Sequence, residues 1–192
     1  MALISYDEAV AAELVAHLQA GLDAALGTGV VPVVNGYPDD QDEQPSGPAF
    51  LSVSIGTPEE RPTIGTDVSA TTAEGIVTTL VSTAHWTLTM QVDLFVTQKR
   101  LRAELDPVIR KILAPSSEHP KFALTLTDYH GLVAVLGVES VGNEDDDAAM
   151  QTREWQRSWM LQATGRALVP HEAPALTDLR SAVSVASVIS TS

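Results

Sequence analysis

Six apolar residues at strict two-residue spacing, Trp86, Leu88, Met90, Val92, Leu94 and Val96, alternate with His85, Thr87, Thr89, Gln91, Asp93 and Phe95. Successive side chains of a strand point to opposite faces, so this run predicts a long strand with one face in a core and the other toward solvent. A strand covered on one face belongs to an antiparallel sheet, because parallel strands are covered on both faces and read as unbroken apolar runs. Such a sheet needs a second layer over its apolar face, and the sequence offers helices for it.

Two amphipathic segments fit that role. Ser5-Tyr6-Asp7-Glu8 has the spacing of a capping box, and Val10, Leu14, Leu18 and Leu22 then recur every four residues until Gly27 and Gly29. Thr97-Gln98-Lys99-Arg100 follows the long strand, and Leu101, Leu105, Val108 or Ile109, and Ile112 mark a second helix with Arg110 and Lys111 near its negative end. Proline inside a helix costs about 3 kcal/mol, so Pro107 predicts a break, with Asp106 as cap and Pro107 in the first turn of a restarted helix.

Phe50, Val53 and Ile55 predict a short strand, as do Phe122, Leu124 and Leu126. Leu132 to Val141 reads as a strand with an irregularity at Gly137, and Thr152 to Arg166 as its hairpin partner across an acidic turn, with Trp155, Arg157, Trp159, Leu161 and Ala163 on one side. Residues 35 to 48 and 57 to 75 are rich in turn formers and read as two long loops. Val183, Val185 and Val188 could form a late strand, but an arm that orders on a partner is the preferred reading of the tail. The prediction is an α+β fold: a mainly antiparallel sheet, two principal helices packed on one face, long loops and an extended C-terminal arm. One domain is expected over residues 1–168 and the arm over 169–192.

Composition narrows the functional classes. Eleven Lys and Arg against 25 Asp and Glu leave 192 residues with a formal net charge of -14, which opposes a broad grip on phosphate backbones. The absence of cysteine excludes disulfides, thiolate metal sites and a thiol nucleophile. The N-terminus lacks the pattern of a secretory signal, and no apolar stretch near 20 residues is expected, so the chain reads as a soluble cytoplasmic product with no membrane partner.

Chemistry-bearing patterns are scarce. No glycine-rich phosphate loop and no Gly-x-Ser-x-Gly elbow occurs, and His17, His85, His119, His130 and His171 never share the helical spacing of two metal ligands. No catalytic residue, metal or cofactor is expected. His85 reads as a solvated strand residue and His17 as a packing residue. The clusters Asp39, Asp40, Asp42, Glu43 and Glu144, Asp145, Asp146, Asp147 lack the spacing of a calcium loop and read as solvated turns. Carboxylates grouped along a channel would, however, repel DNA phosphates and let a duplex slide.

The order of an opening amphipathic helix, the strand His85 to Val96 running into an Arg-rich helix through Leu101, Asp106-Pro107 and Ile112, and a hairpin ending in Arg153-Glu154-Trp155-Gln156-Arg157-Ser158-Trp159 resembles the tail terminator and tail completion proteins of the necks of long-tailed bacteriophages. The resemblance spans residues 5 to 168. It implies a non-enzymatic virion protein, assembled in the host cytoplasm, that forms a ring of six capping the tail tube. Its partners would be other copies of itself, the tail tube protein, a head-side connector or stopper and possibly the tail sheath, with DNA passing through the lumen unbound. Asp39, Asp40, Asp42, Glu43, Glu144, Asp145, Asp146 and Asp147 are then candidates for lumen or interface, loops 35–48 and 57–75 for subunit contacts, and Trp86, Leu94, Trp155 and Trp159 for core anchors. Competing readings are another tail or connector part, such as a stopper or a sheath- or baseplate-associated protein, and an enzyme whose site is assembled by the fold.

Overall fold

The computed structural model describes residues 5–36, 45, 47–73, 76–114, 121–126, 132–144 and 155–174, with backbone alone for 64–73, 143, 144, 155 and 172–174. Its elements run α1 (Tyr6–Leu26), β1 (Val33–Asn35), β2 (Ala49–Ile55), β3 (Glu59–Ala73), β4 (Ile76–Val96), α2 (Lys99–Leu113), β5 (Lys121–Leu126), β6 (Leu132–Glu144) and β7 (Trp155–Pro174). This is an α+β fold with two helices and a mixed sheet. The chain divides into two units, residues 1–60 with 86–165 and residues 61–85 with 166–192.

Unit 1 holds both helices and strands in the order β1-β2-β4-β7-β6-β5. β1 runs parallel to β2, whereas β2–β4, β5–β6 and β6–β7 are antiparallel. The two-residue alternation decides which face of β4 is buried: Trp86, Leu88, Met90, Val92, Leu94 and Val96 are all 2 % exposed or less. Cross-strand pairing stacks like with like, Leu51 beside Leu94 and Val53 beside Val92 on one flank. Leu161 beside Val138 and Ala163 beside Leu136 do the same on the other.

Helix α1 starts at the expected capping box, where the Glu8 carboxylate accepts from the Ser5 amide at 3.4 Å. It ends at Gly27, whose φ of +102° suits a residue without Cβ. Val10, Leu14, Leu18 and Leu22 are buried, and the helix packs on α2, β1, β2 and β5. At the α1–α2 crossing the backbones come close: a Cβ on Gly21 would lie 2.9 Å from Ile112. His17 sits here as a packing residue, stacked on Phe122 at 5.0 Å.

Several expectations are corrected. Residues 59–73 form strand β3, paired with β4, instead of the long loop expected over 57–75. Thr63, Ile64, Thr66, Val68, Thr71 and Thr72 are β-branched, and that preference outweighs the interruptions at Pro62 and Gly65. Strand β4 accordingly starts at Ile76 and runs for 21 residues. Helix α2 is continuous through Pro107 instead of breaking there. Ala103 and Pro107 both lie on its exposed side, so the hydrogen bond that Pro107 cannot make leaves a carbonyl that water can reach, while buried Leu105, Ile109 and Leu113 hold the helix down. The irregularity of β6 falls between Val138 and Ser140, just past Gly137, with Glu139 as the extra residue. Finally, α1 is long and apolar enough, by length and composition, to cross a membrane. Its many alanines raise its hydropathy around the charged Glu13 and Asp23.

Unit 2 contains most of β3, the first half of β4 and the last part of β7. Here the Thr83 hydroxyl donates to the Ala167 carbonyl at 3.4 Å. Strand β7 runs on to Pro174, across residue 169 where the arm was expected to begin.

Candidate functional site

The sequence singles out two acidic segments, and the fold of unit 1 brings their attachment points to one end of the sheet. Residues 37–44 rejoin the described chain near Pro48, whose carbonyl accepts from the Thr97 amide at 3.0 Å, directly before α2. The second segment leaves β6 at Glu144, which pairs with Gln156 at the start of β7. The Gln156 carbonyl in turn accepts from the Arg102 guanidinium at 3.2 Å. Asp39, Asp40, Asp42, Glu43, Asp145, Asp146 and Asp147 lie outside the described residues, as does the Trp155 side chain.

Between these attachment points stands the first turn of α2. Lys99, Arg100 and Arg102 supply three of the eleven basic residues of the chain within four positions. The first turn holds no acid, and the N-cap residue Gln98 makes no side-chain cap bond. Cations at a helix N-terminus oppose the macrodipole, so this placement is locally unfavourable. It is offset by Glu104, which binds Arg100 at 2.8 Å, and by the electrostatic benefit of basic groups beside acidic segments in a chain of charge -14. One turn further, Asp106 lies 2.9 Å from Arg157 and 3.2 Å from Arg110, which ties α2 to β7.

The face of the sheet opposite the apolar row carries a buried polar cluster that the sequence alone does not reveal. Asp93 is 3 % exposed. Its carboxylate accepts from the Ser158 hydroxyl at 2.5 Å and from the Gln91 amide at 2.9 Å to each oxygen. Ser52, opposite Asp93 in register, donates instead to the Gly36 carbonyl at 2.8 Å. Alternation places Asp93 on the solvent side, and the residues that bury it come from strands 40 and 65 positions away, so the signal appears only with the register. A carboxylate satisfied by a hydroxyl and an amide is a clamp between β4 and β7. Serine beside aspartate without an imidazole lacks the base that activates a nucleophile, and among the described histidines His17 packs on Phe122 while His85 and His171 are exposed.

Trp86 and Leu94 on β4 and Trp159 on β7 are buried in unit 1. Among the described residues no group of three metal-ligating side chains converges. Two shallow recesses occur in unit 1. One of about 300 Å³ is lined by Pro45, Pro48, Phe50, Phe95 and Thr97, where Phe50 and Phe95 stack at 4.8 Å. The other, of about 350 Å³, lies between Lys121, Val135, Gly137, Glu139, Gln162 and Thr164.

No protein-family model matches this chain, and no curated protein matches it.

Proposed function

We propose that the protein is a structural subunit of the neck of a long-tailed bacteriophage, a tail terminator that forms a ring, of six copies, on the end of the tail tube. In this reading both helices cover one face of the sheet, the C-terminal arm reaches a neighbouring copy, and the acidic segments face the lumen or a subunit contact. The ring ends tube polymerisation, offers its other side to the head-side connector or stopper and, in a contractile tail, to the sheath. DNA passes through it without being held. No catalytic step and no cofactor enters the role, and its place is the virion.

The observation that carries this reading is the element order: an opening helix, a long strand that runs with a two-residue break into a basic helix, and a closing hairpin, all in one chain of strong net negative charge. That is the order on which the resemblance to tail terminator and completion proteins rests. Two features agree with it in physical terms. The acidic segments attach at one end of the sheet, as residues lining a shared opening would require, and the sheet has free edges from which subunit contacts can be built.

The test is the mass of the purified protein by light scattering, with negative-stain imaging, alone and mixed with tail tubes. A ring, or density on one end of each tube, is the expected result. A stable monomer that ignores tubes overturns the reading.

A further inference from the structure

Along β4 the pattern of exposure changes character. From Trp86 to Met90 buried residues alternate with less buried ones, but Val77, Thr78, Thr79, Leu80 and Val81 are all half-buried, whichever face they occupy. The residues that change belong to unit 2, which holds strands and no helix among the described residues. Domains close a core between two layers, and three strands alone bury too little for both faces to be satisfied. Ile76 is 44 % exposed and Val169 51 %. This layer lacks a partner within its own unit.

A second surface of the same kind lies on unit 1. Strand β5 pairs with β6 alone among the described strands, so its outer edge is free. Beside that edge Val133 is 53 % exposed and Val135 40 %, facing Thr125 and Ala123 across the strand pair. Residues 122–126 and 132–138 contain no charged side chain, and residues 62–84 contain two, Asp67 and Glu74. In unit 2, β3 likewise pairs with β4 alone and leaves its other edge free.

Charge indicates the occupant. Copies that each carry -14 repel one another except where charge is absent, so self-association goes through these two nearly neutral β surfaces. The surfaces differ, and two different patches on one chain give a head-to-tail contact, which closes into a ring when the rotation allows.

We propose that the β3–β4–β7 layer of unit 2 in one copy joins the free β5 edge and the Val133–Val135 face of unit 1 in the next, with the neighbour's β3 edge continuing the sheet from β5. The contact deepens the ring reading and rests on it. Backbone pairing along six residues supplies direction, and the valines with the recess beside Lys121 and Glu139 supply side-chain specificity.

The test uses the full chain and two variants, V133K/V135K on one surface and I76K/V169K on the other, with circular dichroism and thermal unfolding to establish that each is folded. The ring should be lost in each variant alone. An equimolar mixture retains one intact junction and should give a dimer and nothing larger. Because the chain has no cysteine, a measurement free of these charges is also available: wild-type-like copies carrying Thr125→Cys, mixed with copies carrying Thr63→Cys, should be joined to each other by a short bis-maleimide more efficiently than either is to itself. Rings that persist in both variants, a mixture that stays monomeric, or cross-links mainly between identical cysteines would overturn the contact while leaving the ring standing. A wild-type chain that forms no ring, alone or on tail tubes, would overturn the ring reading itself.

Discussion

A Cβ placed on Gly165 would lie 2.2 Å from the Trp86 ring, with two further ring atoms inside 3 Å. That ring cannot yield, because it is 2 % exposed and its indole is stacked on Tyr6 at 4.9 Å, while the Tyr6 hydroxyl is fixed by donating to Glu60 at 2.7 Å. Gly165→Ala should therefore destabilise by about 3 kcal/mol, at the upper end of overpacking costs, and Trp86→Phe in the same chain should recover part of the loss. Urea unfolding of the single and double variants checks this; equal stability of Gly165→Ala and wild type would show that the contact is not tight. The Ser158–Asp93 clamp supplies a second residue-scale prediction. Ser158→Ala removes a donor from a carboxylate that stays buried, and should lower the urea midpoint by the equivalent of about 2 kcal/mol. A change under about 0.5 kcal/mol would mean that Gln91 alone satisfies Asp93.

Pro107 is the element-scale counterpart. Helix α2 tolerates it because its apolar stripe is buried and the missing hydrogen bond faces outward, so the expected break does not form. Replacing it with alanine restores the amide donor to the Ala103 carbonyl and should raise stability by about 1 kcal/mol or more, read as a higher thermal midpoint. A lowered midpoint would show that the ring of Pro107 makes contacts that matter more than the bond it forgoes. The same balance explains what could be read in advance. Elements whose second layer is in the chain, α1 over Val10–Leu22 and β4 over Trp86–Val96, carry a clean period because one face is apolar and the other is not. The β3 strand and the first half of β4 have no such layer, so Thr, Ser and Ala occupy both faces and the period fades into what looks like a loop. The candidate site divides likewise: acidic clusters are visible as composition, whereas the Ser158–Asp93–Gln91 cluster and the Asp106–Arg157 tie between α2 and β7 depend on register and helix placement.

On the scale of the molecule, charge is the strongest constraint. A net charge of -14 opposes assembly, yet the two acidic segments attach beside Lys99, Arg100 and Arg102, where part of their repulsion is compensated within the chain. Carboxylates kept in spite of that cost make sense if they repel something that must not adhere. In the proposed ring that is DNA, whose phosphates approach within a Debye length of about 8 Å at physiological salt. Replacing Asp145, Asp146 and Asp147 with alanine takes the net charge from -14 to -11, and solvated turn residues contribute within about 0.5 kcal/mol, so the thermal midpoint should move by no more than about 2 °C. The effect should instead fall on assembly or on DNA passage, as fewer complete particles or slower genome release from complete ones. Particles carrying the triple substitution with normal rings, normal release and normal infectivity would remove the acidic turn from the proposal, and an unfolded variant would show that these carboxylates serve the fold.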